Sequence, residues 1–324
     1  MILERRERNR RSLLRLKGVE SARPFIGPAT VEFHITDLCN LACQYCWYYG
    51  LGVPNPPTGK NHLPFDVFES IIRDCRDLQV DTISLSGMGE PSMHPRFYDM
   101  LTCLERSFEI LIYSNGTFPL ARCRDILRAD HIVINLAEAD RESYRLLQGR
   151  DLFMKVIKNI RELAKLKAQF NPNFCIEIVF IANRLNMDSF AKIENLALKL
   201  GADIVRKKIA EPNGYNQQII LPHDQRKEEG ARQWLPCFHG WFYSAIKLNG
   251  DVNICSFMRR LSMGNVYRAS FKDIWESETY SHARRSVLEG NPFRNYHECI
   301  NCSLASRNKE IAVQMEGYNR VQKV

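Results

Sequence analysis

The chain has 324 residues, 45% of them hydrophobic and 25% charged, with 45 Lys and Arg against 37 Asp and Glu. That is length enough for one large domain and a small one, and its longest apolar stretches, such as Cys175 to Ala182, fall far below the run of about 20 residues that spans a bilayer. No membrane span is expected, and eleven cysteines, an odd number in a chain whose first residues lack the apolar core of a secretion signal, point to metal rather than disulfides and to a cytoplasmic protein.

Arg5, Arg6, Arg8, Arg10, Arg11, Arg15 and Lys17 crowd the start, and residues 1–27 read as a solvated basic N-terminal arm holding much of the net charge of +8. Residues 28–210 then alternate β-rich runs with helically spaced ones. Strands are expected at Val31 to Thr36, Thr82 to Ser86, Ile110 to Tyr113, His131 to Leu136, Cys175 to Ile181 and Asp203 to Ile209. Between them, Phe65 to Leu78 places Phe65, Phe68, Ile72, Cys75 and Leu78 on one helical face. Leu152 to Phe170 and Met187 to Leu200 are further helices, the second closed by Gly201. Six such units predict an α/β fold with an open, partial (β/α)6 barrel rather than a closed eight-stranded one. Residues 211–236, with Glu211-Pro212-Asn213-Gly214 as a turn signal, read as a linker. Residues 237–324 form a small C-terminal domain of β-hairpin plus helix: Ser244 to Leu248 and Val252 to Cys255 flank Asn249-Gly250-Asp251, and Ser270 to Ser277 is helical.

Seven cysteines form two groups. Cys39, Cys43 and Cys46 directly follow the first strand, at the end of a parallel sheet where β-α folds build their sites. Three thiolates at this spacing wrap one face of a cubane cluster and leave its fourth iron without a protein ligand. A zinc site completed by His34 is the alternative, although His34 lies on the strand and alternates in direction with Phe33 and Ile35. Cys237, Cys255, Cys299 and Cys302 offer a closed four-thiolate site that suits zinc or an iron–sulfur cluster equally. Cys75, Cys103, Cys123 and Cys175 lie in apolar-periodic segments and read as packing residues. Ser86-Gly87-Met88-Gly89-Glu90-Pro91 ends the second strand, where Gly87 and Gly89 permit close backbone approach to a ligand and Glu90 offers acceptors to an ammonium group.

Cys-x3-Cys-x2-Cys with Tyr45 before the last cysteine resembles the hallmark of the radical S-adenosylmethionine (SAM) superfamily. The resemblance implies a 4Fe–4S cluster on Cys39, Cys43 and Cys46 whose open iron chelates SAM. It also implies one-electron cleavage of SAM to a 5'-deoxyadenosyl radical that takes a hydrogen atom from substrate. Tyr45 is then near the adenine, and the segment with Gly87, Gly89 and Glu90 resembles the one that binds the SAM amino group. Ser114-Asn115-Gly116-Thr117 resembles the family's Thr-Asn-Gly-Thr, and Asn135 stands where a polar residue contacts the SAM ribose or carboxylate. Gly250-x4-Cys255, Met263-Gly264-Asn265-Val266, the segment Ser270 to Trp275 and the last cysteine pair resemble the SPASM/twitch extension. That implies a second, auxiliary 4Fe–4S cluster on Cys237, Cys255, Cys299 and Cys302.

On this resemblance the expected reaction is oxidation or rearrangement of a small polar molecule such as a carbohydrate or cyclitol. The auxiliary cluster takes up the electron, and flavodoxin or ferredoxin serves as external donor. Maturation of a ribosomally made peptide is one alternative. Epimerisation, with Cys175 as hydrogen donor, is another. Glu138, Glu177, Arg206 and His239 are unranked candidates for the base that an oxidation requires. A zinc-stapled nucleic-acid binder is suggested by the arginine-rich arm and by Trp47, Tyr48 and Tyr49. Aromatics beside a cysteine cluster fit the wall of a site better, so nucleic acid is not an expected partner.

Overall fold

A computed structural model describes residues 5–50, 52–210, 216, 218–221, 236–256, 261–289 and 305–322. Strand β1 (Thr30–His34) alternates Val31 and Phe33, both wholly buried, with Glu32 and His34 on its other face. β3 (Glu109–Ser114) shows a two-residue burial period, β2 (Thr82–Ser86), β4 (His131–Asn135) and β5 (Cys175–Ala182) are buried along most of their length, and β6 (Ile204–Ile209) completes the parallel set. Strand β7 (Tyr243–Ile246) also pairs parallel to β1, and β8 (Asp251–Asn253) and β9 (Gly264–Asn265) follow antiparallel. One nine-stranded sheet results, ordered β6-β5-β4-β3-β2-β1-β7-β8-β9. The expected hairpin is present, and it extends the barrel sheet beyond β1.

Helix α1 (Arg5–Glu20) precedes the sheet; α2 (Phe65–Asp77), α3 (Phe97–Leu104), α4 (Cys123–Ile126), α5 (Arg141–Gln148), α6 (Phe153–Phe170) and α7 (Phe190–Leu200) lie between its parallel strands. Phe68 and Ile72 of α2, Phe97 of α3, Val156 and Ile160 of α6 and Ile193 of α7 pack on Phe33, Ile112, Ile134 and Ile178 of the strands in one apolar core. Burying such side chains stabilises the fold by about 1.5–3 kcal/mol each. Gly201 caps α7 at φ +80°, in the left-handed region that glycine adopts without steric cost. Beyond the barrel come α8 (His239–Phe242), α9 (Phe271–Glu276), α10 (Glu278–Glu289) and α11 (Ala305–Gln322). No helix among the described residues is long and apolar enough to cross a membrane.

The basic start of the chain departs from the solvated arm expected of it. Residues 5–20 form α1, and its Leu16 and Val19 pack with Phe238, Trp241, Phe242 and Ile311 in a second apolar cluster. Arg15 is as much a core residue as these: its side chain is 2% exposed, donates to the carbonyls of Gly27 (3.0 Å) and Pro28 (3.2 Å), and meets Asp81 at 2.5 Å. Arg11 holds the other Asp81 oxygen at 3.1 Å. A charge-dense helix hides its packing face because arginine stems bury while their heads find partners. Removing one member of a buried pair leaves an uncompensated charge. Asp81→Asn is therefore expected to cost roughly 3 kcal/mol in urea unfolding, whereas an unchanged midpoint would show that α1 is not held by this pair.

Candidate active site at the cysteine loop

The parallel register brings the ends of β1 to β4 to one rim, with His34 beside Ser86 and Ser114 beside Ile134. The loop after β1 lies across this rim and carries Cys39, Cys43 and Cys46. Its backbone is fixed from two sides. On one, the amides of Ala42 and Gln44 donate to the carbonyls of Gln148 (3.1 Å) and Leu147 (3.0 Å), which α5 leaves unpaired at its end. Gly149, at φ +75°, closes that helix so tightly that a Cβ there would lie 2.6 Å from the Ala42 carbonyl oxygen. On the other side, the amides of Gly89 and Glu90 donate to the carbonyls of Thr36 (3.0 Å) and Leu38 (2.8 Å). A Cβ on Gly89 would sit 2.2 Å from the Leu38 oxygen, and one on Gly87 3.2 Å from the His34 Cα. The close approach expected of these glycines is thus made to the cysteine loop itself.

Backbone amides face the sulfurs: Leu41 N–H lies 3.5 Å from Cys39 Sγ, and those of Tyr48 and Tyr49 lie 3.4 Å from Cys46 Sγ. Burial pushes the Cys39 thiol up to about 11 and Cys43 well above its ordinary value, and the nearby sulfurs raise both further. Thiolates gathered here need a cation beside them, and amides aimed at sulfur are what tune an iron–sulfur centre. The donor set therefore fits a cluster. His34 does not join it, since its Nε2 lies 3.0 Å from Glu32 Oε1 and 3.4 Å from Lys247 Nζ. Among the described residues no three His, Cys, Asp or Glu side chains converge on a single-ion position.

A polar chain links this loop to β4. Asn135 Nδ2 donates to the Tyr45 hydroxyl (2.8 Å), which donates to Gln148 Oε1 (2.9 Å), an atom that also accepts from the Cys43 thiol (2.6 Å). Asn135 Oδ1 is buried without a hydrogen-bond partner among the described residues, as suits an atom reserved for a ligand donor. The Tyr45 ring packs with Ala137, Leu147, Ala210, Ile219 and Ile220 as part of the site wall. Sequence reasoning passed over Gln148, which is wholly buried. Its signal was a polar residue on the inward face of α5, in line with Tyr144 and beside Leu147, just before a glycine.

Glu90, Ser114 and Asn115 do meet. The buried Glu90 carboxylate accepts from Ser114 Oγ (2.8 Å), Ser92 Oγ (2.7 Å) and the Asn115 amide (2.7 Å). Burial raises its pKa and these donors oppose the rise. It braces the ends of β2 and β3 with the same oxygens that were expected to receive an ammonium group. Of the second cysteine group, Cys237 donates its amide to Val287 O at 3.1 Å and Cys255 follows β8, while Cys299 and Cys302 lie outside the described residues.

The unranked bases separate on position. Glu177 is the third residue of β5, with Arg206 Nε at 2.7 Å and His131 Nε2 at 3.2 Å. Burial pushes its pKa up, but these partners outweigh that and hold it at about 2, so neither Glu177 nor its partner Arg206 suits a base. Cys175 pairs with His131 at the first residues of β5 and β4, the rim opposite the cysteine loop. It is out of place for the hydrogen donor considered from the sequence. Glu138 follows β4 in the loop before α5 and is buried there, where a bond from Ser189, the residue before α7, opposes the rise that burial causes in its pKa. His239 lies in α8, its ring 5.3 Å from that of Tyr243. Replacing Cys39, Cys43 and Cys46 together by Ala is expected to lower iron after anaerobic reconstitution from roughly eight to roughly four per chain. An undiminished iron content would remove the cluster from this loop.

Comparison with known proteins bears on the same segments. The Radical SAM superfamily matches residues 33–197, and the SPASM iron–sulfur cluster-binding domain matches residues 237–303. A probable GTP 3',8-cyclase of Methanosarcina mazei is 33% identical over 134 residues, which is 40% of this chain and 40% of that protein. A tungsten-containing aldehyde ferredoxin oxidoreductase cofactor-modifying protein of Pyrococcus furiosus is 24% identical across 83% of this chain and 86% of its own length. The PqqA peptide cyclase of Streptomyces rochei is 22% identical across 82% and 80%. Among solved structures, SuiB of Streptococcus suis bound to S-adenosylmethionine superposes with a TM-score of 0.64 at 17% identity, covering 86% of this chain and 71% of that one. SuiB bound to its precursor peptide SuiA gives 0.62 at 15% identity with the same coverage. BtrN in complex with AdoMet and 2-DOIA gives 0.51 at 14% identity, covering 85% and 93%. With half the chain matched by one family and its cysteine loop seated at the rim of a parallel half-barrel, the chain belongs to the radical SAM superfamily and carries a SPASM iron–sulfur cluster-binding domain.

Proposed function

We propose that this radical SAM enzyme modifies a peptide, forming a cross-link or a dehydrogenated residue. The observation that carries this reading is the similarity to the PqqA peptide cyclase along four fifths of both chains. Support also comes from the fold, which matches peptide-bound SuiB at 0.62 and the 2-DOIA complex of BtrN at 0.51. A carbohydrate or cyclitol substrate, the first expectation from the sequence, is the less supported of the two.

When bound, the first cluster and SAM supply a hydrogen-abstracting radical. The rest falls to residues of this chain. Cys39, Cys43 and Cys46 would hold the cluster, and the clamp on Glu90 fixes the Ser114–Asn115 turn beside them. Asn135 Oδ1, oriented by the bond from its amide nitrogen to Tyr45, would receive a donor from SAM. Cys237, Cys255, Cys299 and Cys302 would hold the auxiliary cluster, and a flavodoxin or ferredoxin would supply electrons. The test uses anaerobically reconstituted protein, reductant, SAM and synthetic peptides copied from short reading frames beside the gene. The expected result is 5'-deoxyadenosine formed in step with a peptide that loses a pair of hydrogens by mass spectrometry. Turnover with aminocyclitols or sugars, and none with any peptide, would overturn the reading.

A further inference from the structure

A parallel sheet is normally covered on both faces. Among the described residues, the helices pack on the face of Ile112, Ile134 and Ile178. Neighbours in register share a face, so Tyr113, Val133 and Glu177 form one row of the other face, Asn135, Val179 and Arg206 the next, and Ile181 and Lys208 the last before the rim. This face is exposed at its two sides, with Tyr113 36% exposed although β3 lies three strands in from the β6 edge and the Arg206 side chain 55% exposed, while Val133, Glu177 and Val179 between them are buried. It is also strongly curved. In a flat sheet β3 and β6 would stand roughly 14 Å apart, yet Lys208 Nζ lies 5.8 Å from the centre of the Tyr113 ring. The two side chains meet across a trough.

The charges along this trough are unevenly matched. Glu177, deepest of them, is held by Arg206 and His131. Lys208 has no carboxylate within ion-pair reach among the described residues, and its ammonium faces an aromatic ring, a contact of about 0.5–1 kcal/mol at an exposed site. Lysine on an edge strand also discourages pairing with other chains. Lys207 can do that from the helix-covered face, over Phe190, whereas Lys208 turns inward. Its register partner Ile181 packs against the Tyr45 cluster, so Lys208 stands at the height of the cysteine loop.

We propose that Lys208, with Arg206 below it and Tyr113 opposite, forms a subsite for a substrate carboxylate. Resting on the peptide reading, that carboxylate is a Glu or Asp side chain close to the residue modified. SAM brings a carboxylate of its own, so the test separates the two sources. Reconstituted wild type, Lys208→Glu and Lys208→Arg, each checked for iron content and circular dichroism, are titrated with SAM. They are then titrated with fluorescein-labelled peptides of one length that differ only in a central Glu-Glu, Gln-Gln or Lys-Lys, and with N-acetylglutamate amide as competitor. Wild type and Lys208→Arg should bind the Glu peptide roughly fivefold tighter than the Gln peptide, and Lys208→Glu should reverse the order in favour of the Lys peptide. SAM affinity should not change. Equal binding of Glu and Gln peptides by wild type overturns the subsite and leaves the peptide reading standing. Competition by the amino-acid amide at the concentration of the peptides themselves upholds the subsite and removes the peptide reading. A loss of SAM affinity in Lys208→Glu with the peptide order unchanged overturns the proposal, because the cation then serves the cofactor's carboxylate.

Discussion

A loop that must present three thiols has little regular structure to hold it, and in this protein its amides are taken up by the carbonyls left over at the end of α5. Helices leave their last carbonyls unpaired, and an apolar environment makes such groups costly unless they find donors. Ala42 and Gln44 supply those donors, so the helix end and the loop each satisfy what the other lacks. The position of α5 is set in turn by Asp140, whose side chain accepts from the Ser143 amide, and by the burial of Tyr144 and Leu147. Gly149 ends the helix where any side chain would strike Ala42. The Gly89 contacts secure the loop from the β2 side, and Gln148 carries the same constraint into the polar chain that orients Asn135.

The second cysteine group is tied to the first through the sheet. Because β7 pairs in register with β1, Tyr243 reaches the Glu32 carboxylate at 2.5 Å, and Ser256, next to Cys255, reaches its other oxygen at 3.0 Å. Lys247 donates to the Ser256 carbonyl at 3.0 Å and stands 3.4 Å from His34. Burial pushes the Glu32 carboxyl up, but its bonds from His34 and Tyr243 and the nearby Lys247 charge outweigh that and hold it at about 2. A buried carboxylate with this many donors fixes geometry more than it adds stability. What it fixes is the turn carrying Cys255 relative to the strand from which the cysteine loop departs.

The strands were legible as short β-rich runs between helically spaced segments, and α2, α6 and α7 because their apolar positions recur at helical spacing. Helix α1 was not, since its buried positions include Arg15 and Gly18 among exposed arginines, and no apolar stripe survives that mixture. The cysteine loop could be placed from sequence because it follows β1 directly, a local fact. Gln148 could not, because its partners lie about a hundred residues away and its type is common on helices. Glu177 and Cys175 were considered for chemistry on residue type alone. Their places early in β5 already put them at the rim opposite the cysteine loop, and that inference was within reach once the strand direction was given.

Folding has consumed nearly every polar group at the rim. Glu90 has Ser92, Ser114 and Asn115; Tyr45 has Asn135 and Gln148; Asn40 and Thr117 bond to each other at 2.8 Å. A buried polar atom without a partner costs stability that the fold does not recover by itself. Asn135 Oδ1 is one such atom, and the exposed Lys208, facing the Tyr113 ring, stands one row away on the same face of the sheet. The first suits the cofactor that the cysteine loop implies. The second lies across the trough from the Tyr113 ring, and on the subsite proposed above its charge acts on what enters rather than on the fold that holds it.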